Sequence, residues 1–111
     1  MGDSLPRVEF DVSRRRDGHI VLRLSGELDM SAKWHFQERL TDVIEANDDD
    51  SILVDLAGVS FIDSTALAVL IRAHQQLDTA GRKLLIARPS RPVVRVFEVA
   101  GLGAVFDYEP E

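Results

Sequence analysis

The sequence predicts a single α/β domain on a mixed sheet of four to five strands, and three observations carry that reading. Near the N-terminus, Val8, Phe10 and Val12 alternate with Arg7, Glu9 and Asp11, the period of a strand with one wet face. Further on, the near-continuous apolar runs SILVDL and KLLIA read as strands covered on both faces in a parallel arrangement. Between and after them lie segments whose apolar residues recur every three to four positions, as on one side of a helix. The resulting order, β-β-α-β-α-β-α-β, implies an antiparallel N-terminal hairpin followed by parallel strands joined by helical crossovers. A chain of 111 residues suits one domain. Residues 1–6 are expected to form a flexible N-terminus.

Each element has its own local reason. The first strand ends in Arg14-Arg15-Arg16 before Asp17-Gly18, a strong hairpin-turn signal, and HIVLRLS forms the second strand. Ser31 is placed to cap a helix running to about Ala46, with Phe36, Leu40, Val43 and Ile44 on one face. Asn47 to Asp50 end it. That acidic cluster stands at the unfavourable end of the helix dipole and reads as a solvated loop rather than a cation site. The next helix opens at Asp63-Ser64-Thr65 and sets Leu67, Leu70, Ile71, His74 and Leu77 on one side before Gly81. Ser90 and Pro92 open a short helix carrying Val93, Val96, Phe97 and Ala100, closed by Gly101. AVFDY adds a short last strand. The segments SGELDMS and GVSFIDS read as loops leaving the second and third strands, so they share one rim of the sheet, the side on which such folds bind ligands and partners.

Composition narrows the function. The formal net charge of −6 argues against nucleic-acid or anionic-membrane partners, and the one dense basic run belongs to a turn. Cysteine is absent, which removes disulfides, thiolate metal sites and thiol chemistry together. No apolar stretch approaches the roughly 18 residues of a membrane span, and MGDSLPRVEF lacks a signal-peptide apolar region. A cytoplasmic protein without direct membrane insertion, cofactor or metal is expected.

Enzymatic readings fail on spacing. A nucleophilic Ser64 needs a base within hydrogen-bond reach, there is no G-x-S-x-G, and His74 lies ten residues along the same helix, about 15 Å away. Nothing in the sequence brings His19 or His35 to it. The glycines form no phosphate-binding motif. Asp55 in ILVDL resembles a receiver-domain strand, but such a domain needs an acidic pair after its first strand and a lysine after its last. The lysines here, Lys33 and Lys83, start a helix and a strand, so Asp55 reads as structural. Ser64 then has two readings that spacing alone leaves open. It is a helix cap, or it accepts a phosphate that the helix dipole favours by about 0.3 to 1 kcal/mol.

Three stretches carry a family resemblance. VLRLSGELDMSA, VDLAGVSFIDSTALAVL and SRPVVRVFEVAGLGAVF resemble the main blocks of STAS domains, specifically the small single-domain anti-sigma factor antagonists. The resemblance implies a non-enzymatic switch without cofactor. Its unphosphorylated form binds an anti-sigma factor that is itself a serine kinase, which frees the sigma factor. Phosphorylation of Ser64 ends the binding, and a serine phosphatase resets it. By position, Glu27, Asp29, Asp63, Ser64, Thr65, Ala66 and Ala68 form the partner-binding set, with Ser64 expected as the non-helical cap and Thr65 as the start of the first turn. The family usually has glycine where this chain has Ala66 and Ala68. Alanine favours the helix by up to about 1 kcal/mol per site, while its methyl groups stand where a partner would approach backbone. Two other roles use the same fold: a docking subunit of a membrane lipid-transport ATPase system, and a scaffold of a sensory complex.

Overall fold

A computed structural model describes residues 8–47 and 51–110. The expected N-terminal stretch 1–6 and Asp48 to Asp50 of the acidic cluster lie outside the described residues. Strand β1 (Val8–Arg14) pairs antiparallel with β2 (Ile20–Leu28), with Val8 opposite Gly26 and Arg14 opposite Ile20. Between them Gly18 sits at φ +94, a conformation that glycine reaches without a Cβ clash, and its N–H donates to the Arg15 carbonyl at 3.1 Å. Arg15 pairs with Asp17 beside it and, at 2.6 Å, with Glu109 near the C-terminus. The basic run therefore serves the turn.

From β2 onward the strands are parallel. The sheet order is β1-β2-β3-β4-β5, with β3 at Ile52–Ile62, β4 at Leu84–Ala87 and β5 at Asp107–Tyr108. Helices α1 (Lys33–Ala46), α2 (Ser64–Thr79) and α3 (Arg91–Val99) make the crossovers, the first preceded by a short 3-10 turn over Met30–Ala32. This is the mixed sheet that the sequence predicts.

Alternation along the strands builds the core. Leu22, Leu24, Val54, Leu56, Leu84 and Ile86 form one cluster with Phe36 and Leu40 of α1, Leu67, Leu70 and Leu77 of α2, and Val93 and Phe97 of α3. The residues between them on the strands point the other way, where Val21, Leu53 and Ala87 make a small second cluster with Leu85. So Ile52 to Leu56 is buried on both faces, as its apolar run implies, although all three helices contribute to the one main cluster. The half-buried His74 ring meets Phe106 edge-on at 5.8 Å, and Phe106 lies 5.2 Å from Phe97. His74 is thus a packing residue. Ser90 caps α3 as expected, its hydroxyl oxygen accepting from Val93 N–H.

Two expectations about the rim change. SGELDMS and GVSFIDS are not simply loops, because β2 and β3 stay paired through Ser25↔Gly58, Gly26↔Val59, Glu27↔Phe61 and Leu28↔Ile62. Two register shifts make this possible: the partner jumps from Asp55 to Gly58 while β2 advances from Arg23 to Ser25, and again from Val59 to Phe61 opposite Gly26 and Glu27. Glu27 is consequently a strand residue. Ser31 is not the cap of α1 either: it lies inside the 3-10 turn, and α1 follows directly after Ala32.

Candidate functional site at the sheet rim

The strands β2 and β3 are each followed directly by an aspartate, Asp29 and Asp63. Asp63 N–H donates to the Leu28 carbonyl at 3.1 Å, so the two chain ends leave the sheet side by side. Asp63 has extended backbone and is the N-cap of α2. Its Oδ1 accepts from Thr65 N–H at 3.0 Å, Ala66 N–H at 3.1 Å and the Thr65 hydroxyl at 2.6 Å. Asp29 does the same for the 3-10 turn, accepting from Ser31 N–H at 3.0 Å, Ala32 N–H at 3.2 Å and the Ser31 hydroxyl at 2.6 Å. D-M-S-A and D-S-T-A are one capping device used twice. A carboxylate there satisfies two otherwise orphaned N–H groups and faces the positive end of the helix dipole.

This corrects the placement of the cap. Ser64, expected to be the cap, is the first residue of α2, and Thr65 is the second. The signal was present in the sequence, since D-x-[S/T]-A occurs at both places and aspartate caps as well as serine does. The shift changes the roles of the two hydroxyls. Thr65 donates its hydroxyl to Asp63 and is half-buried. Ser64 is exposed, and its hydroxyl makes no hydrogen bond among the described residues. The two alanines also part: Ala66 is buried in the main core, so only the exposed Ala68 keeps a methyl group on the surface. Glu27 is exposed on β2 opposite Phe61, and Asp29 is half-buried in its cap.

Sequence reasoning missed three apolar residues at this rim. Met30, Trp34 and Phe61 are 68%, 69% and 48% exposed. Trp34 lies off the Phe36–Leu40 stripe of α1, which was the available signal.

Asp55 lies elsewhere, on the sheet face opposite the main core, and is the one buried charged residue among those described, 3% exposed. Its Oδ1 accepts from Ala57 N–H at 3.0 Å, and its Oδ2 from Arg23 Nε at 3.3 Å and an Arg88 guanidinium nitrogen at 2.6 Å. Burial opposes its ionisation, but the Arg88 hydrogen bond, the Ala57 N–H and Arg23 together hold its carboxyl below the usual carboxylate range. Arg88 makes this contact from a left-handed backbone, φ +47. With both oxygens engaged, Asp55 ties β2, β3 and the end of β4 together, in agreement with its structural reading.

Residues 12–111 match the family model described as STAS domain. The chain belongs to the STAS domain family. Among its relatives is an anti-sigma-B factor antagonist of Staphylococcus aureus, 31% identical over 87 residues that cover 78% of this chain and 80% of that one. Solved structures that share the fold of this STAS domain include two anti-sigma-related proteins. An anti-sigma factor antagonist from Mycobacterium paratuberculosis superposes with a TM-score of 0.79 at 23% identity, covering 94% of this chain and 86% of that one. The Bacillus cell fate determinant SpoIIAA in its phosphorylated form gives 0.68 at 23% identity, covering 93% of each.

Proposed function

We propose that this STAS domain is an anti-sigma factor antagonist whose binding is switched by phosphate on Ser64. The unphosphorylated form binds an anti-sigma serine kinase at the rim formed by Glu27, Asp29, Asp63, Ser64, Thr65 and Ala68, and the kinase gives up its sigma factor. The kinase then transfers the γ-phosphoryl group of ATP to Ser64 Oγ: a P–O bond forms to serine, the bond to ADP breaks, and the serine proton is released. A serine phosphatase hydrolyses the ester and resets the cycle. The domain is a binding module with no catalytic activity of its own, takes no cofactor and works in the cytoplasm. Among the described residues no helix is long and apolar enough to cross a membrane.

The observation that carries this reading is the division of labour at the start of α2. Asp63 caps the helix and holds the Thr65 hydroxyl, which leaves the exposed Ser64 hydroxyl available to a kinase. The names of the relatives point the same way, and one of them exists in a phosphorylated form. A phosphate at the first residue of α2 also stands at the favourable end of the helix dipole.

The test is phosphorylation by the cognate anti-sigma kinase with ATP, read by mass spectrometry of a peptide spanning Val54 to Arg72. One phosphate on Ser64 is expected; Thr65→Ala is still phosphorylated and Ser64→Ala is not. Phosphate mainly on Thr65 would overturn the assignment of the acceptor. No phosphate on either residue, with kinase binding intact, would make the chain a constitutive antagonist.

A further inference from the structure

Three of the large apolar side chains left exposed on this domain, Met30, Trp34 and Phe61, belong to the segments that adjoin the two caps at the rim. Met30 is the first residue after the Asp29 cap, the place that Ser64 holds after the Asp63 cap, and the two caps are neighbours through the Asp63 to Leu28 backbone bond. Trp34 follows Met30 by four residues, at the second position of α1. Its indole borders a hollow of about 260 Å³ along α1, lined also by Gln37, Glu38, Thr41 and Asp42. Phe61 alternates with the buried Ile62, so its ring emerges on the other side of the rim, opposite Glu27. Ser64 thus follows Phe61 by three residues on its own chain segment and starts beside the Met30–Trp34 segment through the paired caps. A tryptophan left 69% exposed buries little of its large apolar surface in the fold, whereas tryptophan is among the residues that most often carry binding energy at protein interfaces.

Resting on the function proposed above, we infer that Met30, Trp34 and Phe61 are the apolar anchors by which this domain docks its anti-sigma kinase. Charge complementarity describes the matching face. It offers an apolar pocket to Trp34 and Met30, edged by lysine or arginine opposite Glu38 and Asp42. Lys33, whose ammonium lies 5.0 Å from the centre of the Trp34 ring, marks the basic margin of the patch on this chain. A partner seated on both segments must dehydrate Ser64 where they adjoin. Phosphate there, at about −1.5 to −2 charges, opposes that dehydration without any change in the domain.

Trp34 is the only tryptophan in the chain, so 5-fluorotryptophan labels the anchor at one site. With purified cognate anti-sigma kinase and no ATP, the single fluorine resonance is expected to shift and to lose its sensitivity to exchange of H2O for D2O. Trp34→Ala and Met30→Ala are each expected to raise the Kd at least tenfold while melting like wild type. Val99→Ala, at a residue 85% exposed near the far end of α3, should bind unchanged. If Ser64→Asp loses the kinase while Trp34→Ala and Met30→Ala bind as wild type does, the anchors are wrong and the switch stands. A fluorine signal that stays water-sensitive in the complex overturns the anchors as well. Failure of the wild-type chain to bind the kinase at all removes the proposed function and the anchors together.

Discussion

Asp63 does two things with one oxygen: it caps α2 and holds the Thr65 hydroxyl. Removing it in Asp63→Ala should cost about 0.5 to 2 kcal/mol in denaturant unfolding, and Asp63→Asn much less, because asparagine caps about as well. Asp55 makes a pH-dependent contribution of definite sign. Its carboxyl is held low in the fold, so the stability it adds is complete above the ordinary aspartate value, about 3.9, and is lost as pH falls through the lower folded value. The stability difference between wild type and Asp55→Asn, followed by urea titration, should therefore be constant near neutrality and shrink below about pH 4. These two aspartates were not equally legible. Asp55 could be set aside as structural because the residues that a receiver domain requires are missing. The cap was read one residue late because Asp63, Ser64 and Thr65 can all cap, and the choice among them falls to the long-range pairing that carries β3 on to Ile62.

Among the elements, helices were easier to read than strands. The stripe of α2 follows the 3.6 period and places the fully buried Leu70 against the sheet. Leu70→Ala should destabilise the domain by about 2 to 5 kcal/mol, measured by chemical denaturation; unchanged stability would overturn that packing. The latter half of β3 broke the strand rule. Leu56, Val59 and Ile62 are buried at intervals of three, a spacing no regular strand gives, because the two register shifts each add a residue to β3. The close approach there depends on Gly58. A Cβ at that position would lie 2.9 Å from Ser25 Cβ and 3.3 Å from both Leu24 O and Ser25 Cα. Relief requires backbone movement, so Gly58→Ala should cost about 1 to 3 kcal/mol and loosen the pairing that carries Glu27 and Phe61 to the rim, visible as faster amide exchange in β2.

At the scale of the whole molecule, the sequence pattern prescribed the order of elements, the mixed sheet and a shared rim, while the apolar margin of that rim depended on which side chains the core left out. What the arrangement allows is a switch that needs no refolding, since Ser64 is already exposed in a helix capped by another residue. Charge then has to do the switching, and its size can be estimated. At roughly 6 Å from an acidic group of the bound kinase and an effective dielectric near 20, each added unit of charge costs about 2.8 kcal/mol, or about a hundredfold in binding, before screening. In Ser64→Asp the hydroxyl is lost and a charge appears; in Ser64→Ala only the hydroxyl is lost. Ser64→Asp should therefore bind the kinase at least tenfold more weakly than Ser64→Ala in isothermal titration at low salt. Because screening acts over about 10 Å at 0.1 M salt and about 3 Å at 1 M, that gap should narrow as salt is raised. The loss in Trp34→Ala, being apolar, should hold across the same titration. Equal binding by the two Ser64 variants at low salt would refute an electrostatic switch, while a gap that ignores salt would trace it to shape at the start of α2.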